Sequence, residues 1–443
     1  MKKVYLLSLG CARNLLDSEV LLGIFEKKGF DIVQEPEGAD MAVVNTCGFI
    51  RDAKEESISI ILQLADLKKA GKIKKLVVAG CLSQRYPGEL MDEIKEIDGV
   101  FGTSDLEKIP EMMDAPPSGA RVREVTADPG FLYDHRYKRK LLTSPHSVYL
   151  KIQEGCSNRC SYCVIPRLKG PRRSRAIASV AEEVIDLKRE HDIKELILIG
   201  QDTTSFGLDS SGKPELARLL KEITPLMEGR WVRLLYTHPA HFTDELIDVI
   251  AGTENICKYV DLPIQHINDR ILKAMNRRVA RAEIEALIGK IRKKIKDVTI
   301  RSSVIVGFPG ETDAEFRELM EFLTDIRFDR LGAFIYSPEE GTPAAGLPGQ
   351  IPVRTKNARF DEVMRRQQEI SYDNNMKCLG RIMRVLIDER DDDDTSRFKG
   401  RSQMDAPEVD GVTYVGGDRV KAGDFTEVRI TGTMEYDLVG EVA

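Results

Sequence analysis

What this 443-residue sequence lacks sets the first limits on what it can do. No apolar run approaches the length needed to cross a bilayer, which excludes a membrane-spanning role. Charge of neither sign dominates: a formal net charge of −6 excludes gripping nucleic acid by bulk electrostatics alone and leaves room only for a local basic patch. Eight cysteines fall far short of the density of a disulfide-stapled secreted scaffold, so a reducing cytosol and thiolate ligation are expected. With 42% hydrophobic and 31% charged residues there is no compositional case for disorder, and the length predicts two or three domains. The opening MKKVYLLSLGC imitates a lipoprotein signal. Its apolar run, residues 4–9, is shorter than a signal core and reads as a buried strand closed by a glycine turn.

Cysteine is scarce, but its placement is informative. In EGCSNRCSYCVIP, residues 154–166, Cys156, Cys160 and Cys163 are separated by three residues and then by two. Closed zinc sites and most iron–sulfur clusters take four protein ligands, so a triad this tight predicts a cluster with one corner left open. A catalytic zinc would recruit histidine or carboxylate, and none lies inside CSNRCSYC. His238 and His241 of THPAH could complete such a site, but two histidines near a strand end are more often turn or substrate-pocket residues. Cys257 and Cys378 have no partner motif and are expected as small buried hydrophobes.

Up to about residue 115, the strand-like runs VYLLSLGC, DMAVVNTCGF and KKLVVAGC alternate with helical spacing at 18–28 and 53–69. That is the pattern of a doubly wound parallel α/β domain, residues 1–117. Cys11, Cys47 and Cys81 each fall where one of these strands ends, on the edge where such folds place ligands. One cysteine there is ordinarily a buried hydrophobe; three at equivalent positions predict a second three-thiolate metal site. A linker, 118–141, follows, and its YDHRYKRK reads as a solvated charge run or a nucleic-acid contact. From 142 to 372, SVYLKIQ, KELILIG, RWVRLLY, KYVDLP, TIRSSVIVGF and RLGAFIYS alternate with helices, predicting a complete or partial parallel barrel with its functional loops at the C-terminal mouth. The triad follows the first of these runs. Residues 373–443 predict a small antiparallel β-barrel, and their sixteen Asp and Glu against ten Lys and Arg make it the acidic part of the chain.

A CxxxCxxC loop after the first strand of a parallel barrel resembles the radical S-adenosylmethionine enzymes. Together with SLGCARNLLDSE, NTCGFI, AGCLSQR, LIGQDTTSFG and VGFPGET in that order, essentially the whole chain resembles the methylthiotransferases among them. The resemblance implies a three-cysteine N-terminal domain, a radical barrel and a small C-terminal barrel called TRAM. It also implies two [4Fe-4S] clusters. Cys156, Cys160 and Cys163 leave one iron to the methionyl amine and carboxylate of S-adenosyl-L-methionine, whose sulfonium is cleaved to a deoxyadenosyl radical. Cys11, Cys47 and Cys81 hold the cluster that handles sulfur; one S-adenosylmethionine supplies the methyl group and another the radical. Tyr162 matches the position that packs on adenine. GFPGET, residues 307–312, lacks the lysine of a phosphate loop and resembles the adenine-contacting segment. Gln201, Gln265 and Arg301 are candidate cofactor contacts or ordinary barrel-interior polar residues.

Methylthiotransferases modify either tRNA adenosine or an aspartate side chain of a small-subunit ribosomal protein. RNA binding by TRAM needs cationic surface, whereas this domain is net acidic, with four consecutive aspartates at 391–394. GRSQMDAPEVDG, residues 400–411, and SLGCARNLLDSE resemble the ribosomal-protein branch. An acidic domain is expected to dock a basic ribosomal protein, with Asp405 and Glu408 as contacts. The tRNA-modifying enzyme is the runner-up. An iron–sulfur electron carrier would leave the open triad corners and the barrel unexplained, and a non-catalytic RNA-binding module would leave all six cysteines unexplained. The reading also calls for an external reductant and a sulfur donor, and for a cytoplasmic monomer.

Overall fold

Strands of the N-terminal segment present apolar side chains on both faces. In the computed structural model, which describes residues 1–113, 121–417 and 420–443, this segment forms a six-stranded sheet. Its strands β1 (Lys3–Ser8), β2 (Asp31–Val33), β3 (Met41–Thr46), β4 (Lys75–Gly80), β5 (Gly99–Phe101) and β6 (Val122–Glu124) run parallel in the order β2-β1-β3-β4-β5-β6. Met41, Val43, Val77 and Ala79 pack with Leu21 and Phe25 of the helix Ala12–Lys27 on one face. Ala42, Val44, Leu76 and Val78 pack with Ile61 and Leu64 of the helix Arg51–Lys69 on the other. Both faces are therefore covered, as parallel sheets require, and each buried valine contributes about 2 kcal/mol.

β2, β5 and β6 have three residues each, too few for an apolar pattern to register. β6 corrects the linker reading, because residues 122–124 complete the sheet. The expected boundary between 117 and 118 lies outside the described residues. Within YDHRYKRK, Arg136, Lys138 and Lys140 are exposed, as a solvated run would have them, but two of its side chains are drawn inward. Tyr133 is 1% exposed with the Arg175 guanidinium 4.8 Å from its ring centre, and Arg139 pairs with Glu19 at 3.3 Å and Glu183 at 3.1 Å.

Contacts divide the chain into two units. Met1–Leu142 joins Lys151–Asn158 and Cys163–Glu183 in the first, which also holds the short antiparallel pair β8 (Gln153–Glu154) and β9 (Arg173–Ser174). Thr143–Leu150 joins Arg159–Tyr162 and Val184–Ala443 in the second.

The six strands predicted for the central barrel are present as β7 (Ser147–Lys151), β10 (Glu195–Ile199), β11 (Trp231–Leu234), β12 (Tyr259–Asp261), β13 (Thr299–Val306) and β14 (Arg330–Ile335). They form two three-stranded sheets, β11-β10-β7 and β12-β13-β14, joined by a parallel bridge between Val232 and Ile256. The helix Val353–Met376 runs through the expected boundary at 372, so the small domain starts later. It is a closed barrel of β15 (Ile382–Arg390), β16 (Arg397–Arg401), β17 (Thr413–Gly416), β18 (Phe425–Thr433) and β19 (Leu438–Val442). Its pairs are antiparallel except β17 with β19, which run parallel.

The small domain meets the first residues of the central strands. Glu195, opening β10, accepts from Arg401 at 2.8 Å; Trp231, opening β11, stacks edge-on with Phe425 at 4.8 Å. Tyr259, opening β12, donates to Asp410 at 2.6 Å, and Arg330, opening β14, pairs with Asp405 at 2.6 Å. The small barrel thus covers the N-terminal end of these strands, opposite the mouth. Asp405 is only 2% exposed, which withdraws it as a docking contact; Glu408 stays exposed. In the aspartate run, Asp391 pairs with Lys399 at 3.0 Å and Asp394 with Arg397 at 2.6 Å.

Candidate functional site

Because β1, β3 and β4 are adjacent and in register, their C-terminal ends converge, and the residues just beyond them are Cys11, Cys47 and Cys81. Cys11 occupies the N-cap position of the helix Ala12–Lys27, and Cys81 is the first residue of the short helix Cys81–Arg85. Asn14, one turn into the first helix, donates to the carbonyls of Thr46 (2.8 Å) and Leu9 (3.1 Å), and its Oδ1 lies 3.8 Å from Cys81 Sγ. The structure therefore sets the three predicted cysteines along one edge of the sheet, past the ends of adjacent strands.

Three thiols crowded at one sheet edge resist ionising together. Burial raises Cys47, and the neighbouring Cys11 adds to that; burial pushes Cys81 up to about 12 even though the Lys169 ammonium pulls the other way. At Cys11 desolvation also works against the thiolate, but Arg13 and the amides that open the helix outweigh it and lower the thiol. A metal centre removes this cost, since a coordinating thiol is deprotonated outright. Three sulfur donors, with no fourth protein ligand beside them among the described residues, fit a [4Fe-4S] cluster with one open iron.

The second triad lies on the loop after β7 and β8, where Cys156, Cys160 and Cys163 are all partly exposed. Cys156 N–H donates to the Gly170 carbonyl at 3.1 Å, and in the first unit Cys81 packs with Val164 and Leu168, just past Cys163. Beneath them, nearly buried Lys151 and Lys169 share the carboxylate of Asp17, and Lys151 also pairs with Glu154 at 2.6 Å. In the second unit, Ser161 N–H and hydroxyl donate to Met275 O (2.9 Å) and Ala274 O (2.7 Å), and Arg277, 5% exposed, places Nη1 3.8 Å from Cys160 Sγ.

Around this loop the second unit gathers most of the remaining candidates. Tyr162 packs against Ile271, Met275, Ile305, Phe308 and Tyr336, beside the turn that carries GFPGET. Gln201 follows the end of β10, and Gln265 bridges to Val304 of β13 with φ +71°, a conformation rare for a side chain of its size. Arg301 does not join them. It is the third residue of β13, in the half nearer the small barrel, and its guanidinium is committed to Asp261 at 3.1 Å and Asp410 at 3.3 Å. Cys257 and Cys378 are buried as expected, each 1% exposed. Sequence reasoning missed Arg277 and Asp202. MNRRVAR carries no motif, and the Asp202 carboxylate shows its role only through its 2.7 Å contact with His241 from the next strand end.

Residues 3–102 match the family described as "Uncharacterized protein family UPF0004", residues 150–323 the radical SAM superfamily, and residues 379–443 the TRAM domain. A similar protein, "Ribosomal protein uS12 methylthiotransferase RimO" of Pelotomaculum thermopropionicum, is 46% identical over 440 residues, 99% of each chain. The protein of the same description from Syntrophotalea carbinolica is 46% identical, covering 100% of this chain and 97% of its own. Among solved structures, the radical S-adenosylmethionine methyltransferase TsrM of Kitasatospora setae superposes with a TM-score of 0.57 at 17% identity, covering 86% of this chain and 76% of that one. At that identity the likeness concerns the fold alone.

Proposed function

This chain belongs to the family of ribosomal protein uS12 methylthiotransferases, and from that premise we propose that it adds a methylthio group to the side-chain carbon of an aspartate in that ribosomal protein. The observation that carries this reading is the packing of Cys81 with Val164, the residue after Cys163. A sulfur-handling cysteine set beside a radical-generating loop is what insertion of sulfur into an unreactive carbon–hydrogen bond requires. When bound, two [4Fe-4S] clusters would relay the electron and hold the sulfur delivered from outside, and S-adenosylmethionine would supply the radical and the methyl group.

The chain's own residues bind and orient. Cys11, Cys47 and Cys81 are assigned to one cluster and Cys156, Cys160 and Cys163 to the other. Arg277 offers a charged N–H to Cys160 sulfur, the kind of outer contact that tunes a ligand. Tyr162, Gln201 and Gln265 are assigned to S-adenosylmethionine, whereas Arg301 holds the small barrel. The substrate protein, an external reductant and a sulfur donor are the partners of a monomer. A ribosomal substrate supports a cytoplasmic reaction, and among the described residues no helix is long and apolar enough to cross a membrane.

The test offers the anaerobically reconstituted enzyme both uS12 and tRNA, with S-adenosylmethionine and a reductant, and follows each by mass spectrometry. A methylthio mass gain on one uS12 aspartate is expected. Modified tRNA beside untouched protein would overturn the substrate assignment, and absence of deoxyadenosine would overturn the radical chemistry.

A further inference from the structure

Beyond the cysteine loops, one cluster of ionisable side chains stands at the mouth of the central strands. Asp202, three residues past the end of β10, is 2% exposed. Its Oδ1 accepts from Thr204 Oγ1 at 2.7 Å and from Ser205 N–H at 3.2 Å, capping the turn Thr203–Ser205. Its Oδ2 lies 2.7 Å from Nδ1 of His241, which comes from the loop after β11. His238 locks that loop in place: its N–H donates to Thr204 Oγ1 at 2.9 Å, and its Nδ1 accepts from Ala240 N–H at 3.2 Å. The two imidazoles are 5.2 Å apart.

Asp202, His238 and His241 offer ligand atoms within 4.8 Å of one another, but the hydrogen bonds speak against a cation. Nδ1 of His238 accepts from a backbone N–H, so the neutral ring carries its proton on Nε2 and has no second lone pair to give. The same logic gives His241 the opposite polarity. Its Nδ1–H faces Asp202, and among the described residues no protein group bonds its Nε2. His241 keeps 23% of its side chain exposed, while Asp202 beneath it is nearly sealed.

The charges of this corner decide what can dock there. Burial works against Asp202 ionising, yet the His241 hydrogen bond, the two imidazoles and Thr204 outweigh it and hold the carboxyl at about 2. Burial first, then the charge of Arg277, drives His238 down to about 3, so that ring is neutral. An acidic side chain approaching the mouth therefore meets the Asp202 anion, which repels it unless a cation stands between them. His241 stands where such a bridge is needed: an imidazole with a proton on each nitrogen gives Nδ1–H to Asp202 and Nε2–H to the incoming carboxylate.

We propose that His241, held by Asp202, is the substrate-positioning residue that receives the carboxylate of the acceptor side chain. This rests on the uS12 reading and sharpens it: the His241 Nε2 beside the sealed Asp202 carboxylate suits an acidic group, and a neutral base would bring no charge to the bridge. The reconstituted holoenzyme is tested with two uS12-derived peptides, one carrying the acceptor aspartate and one carrying asparagine there, and their dissociation constants are measured for the wild type, His241→Ala and His241→Gln. Iron content reports whether each variant folds and loads. The wild type is expected to favour the aspartate peptide by roughly tenfold or more, the range of a hydrogen bond to a charged group. His241→Ala brings the ratio close to one, and His241→Gln, which donates without charge, retains part of it. A ratio unchanged by both substitutions would overturn the proposal. Wild-type enzyme that ignores uS12 and modifies tRNA would instead strike the substrate reading itself and remove this inference with it.

Discussion

At Gly10 the backbone turns with φ +90° between β1 and Cys11, and an added Cβ would stand 2.7 Å from Cys47 Cβ and 3.1 Å from its Sγ. A side chain here meets both the left-handed backbone penalty, about 1 kcal/mol, and the sulfur it must not touch. Gly10→Ala is expected to separate Cys11 from Cys47 and to cut iron incorporation by about half, since only one of two metal sites is damaged. Iron and sulfide analysis after reconstitution checks this; a full complement of iron in the variant would show that the turn tolerates a methyl group. The cysteines themselves were legible because their spacing is a local property of the sequence, either within one loop or at repeated strand ends. Arg277, Asp202 and the polarity of His241 were not, because each depends on a partner from another strand end. Of the two readings open for Arg301, its pairing favours the barrel-interior one: its position on a barrel strand was visible in the sequence, but the carboxylates of Asp261 and Asp410 that claim it were not.

The turn carrying GFPGET shows how an element can be recognised without its means of support. Glu311 folds back and accepts the N–H groups of Gly307 and Phe308, and Thr312 with Glu315 forms the capping box of the helix Asp313–Ile326. What holds the turn comes from the helix Val353–Met376. Arg359 donates to the Glu311 carbonyl at 3.1 Å and pairs with the carboxylates of Glu311 at 3.3 Å and Asp313 at 2.7 Å. Burial is the larger influence on Glu311 and raises its carboxyl to about 7, with Arg359 opposing it. Arg359→Ala removes that compensation from a buried carboxylate and is expected to cost about 3 kcal/mol of stability. It is also expected to weaken S-adenosylmethionine binding several-fold, because the turn beside Tyr162 loosens. Thermal melting and equilibrium binding to the reconstituted protein measure the two effects; a lower melting point with unchanged binding would separate the turn from the cofactor.

The acidic count of the small domain is a property of composition, and the folded molecule distributes it differently. Asp405 and Asp410 engage Arg330 and Arg301, so part of the apparent negative surface is internal and joins the small barrel to the central strands, while Asp388 pairs with Arg401 inside the small barrel. Composition revealed the imbalance, but only the pairing of distant residues reveals which carboxylates stay exposed, as Glu408 does. The deepest of these joints is Glu195, which accepts from Arg233 at 2.7 Å and Arg401 at 2.8 Å, with neither Glu195 nor Arg233 exposed. Burial disfavours its charge, but the two guanidinium groups prevail and lower its carboxyl from 4.5 to about 2. Because the folded value lies below the unfolded one, the unfolded chain binds more protons between them. The stabilisation is therefore complete above the unfolded value and is lost as pH falls through the folded one. Glu195→Gln leaves the buried Arg233 without its carboxylate and Arg401 with Asp388 alone, and is expected to cost about 3–5 kcal/mol near neutral pH. The gap between wild type and variant should narrow as the pH is lowered through about 2, where the wild-type carboxyl takes up its proton. Urea unfolding of both proteins across that range, followed by the single tryptophan Trp231 that stacks on Phe425, measures the gap at the joint itself. A gap that stays constant with pH would mean that the Glu195 charge contributes nothing and that shape alone seats the small barrel.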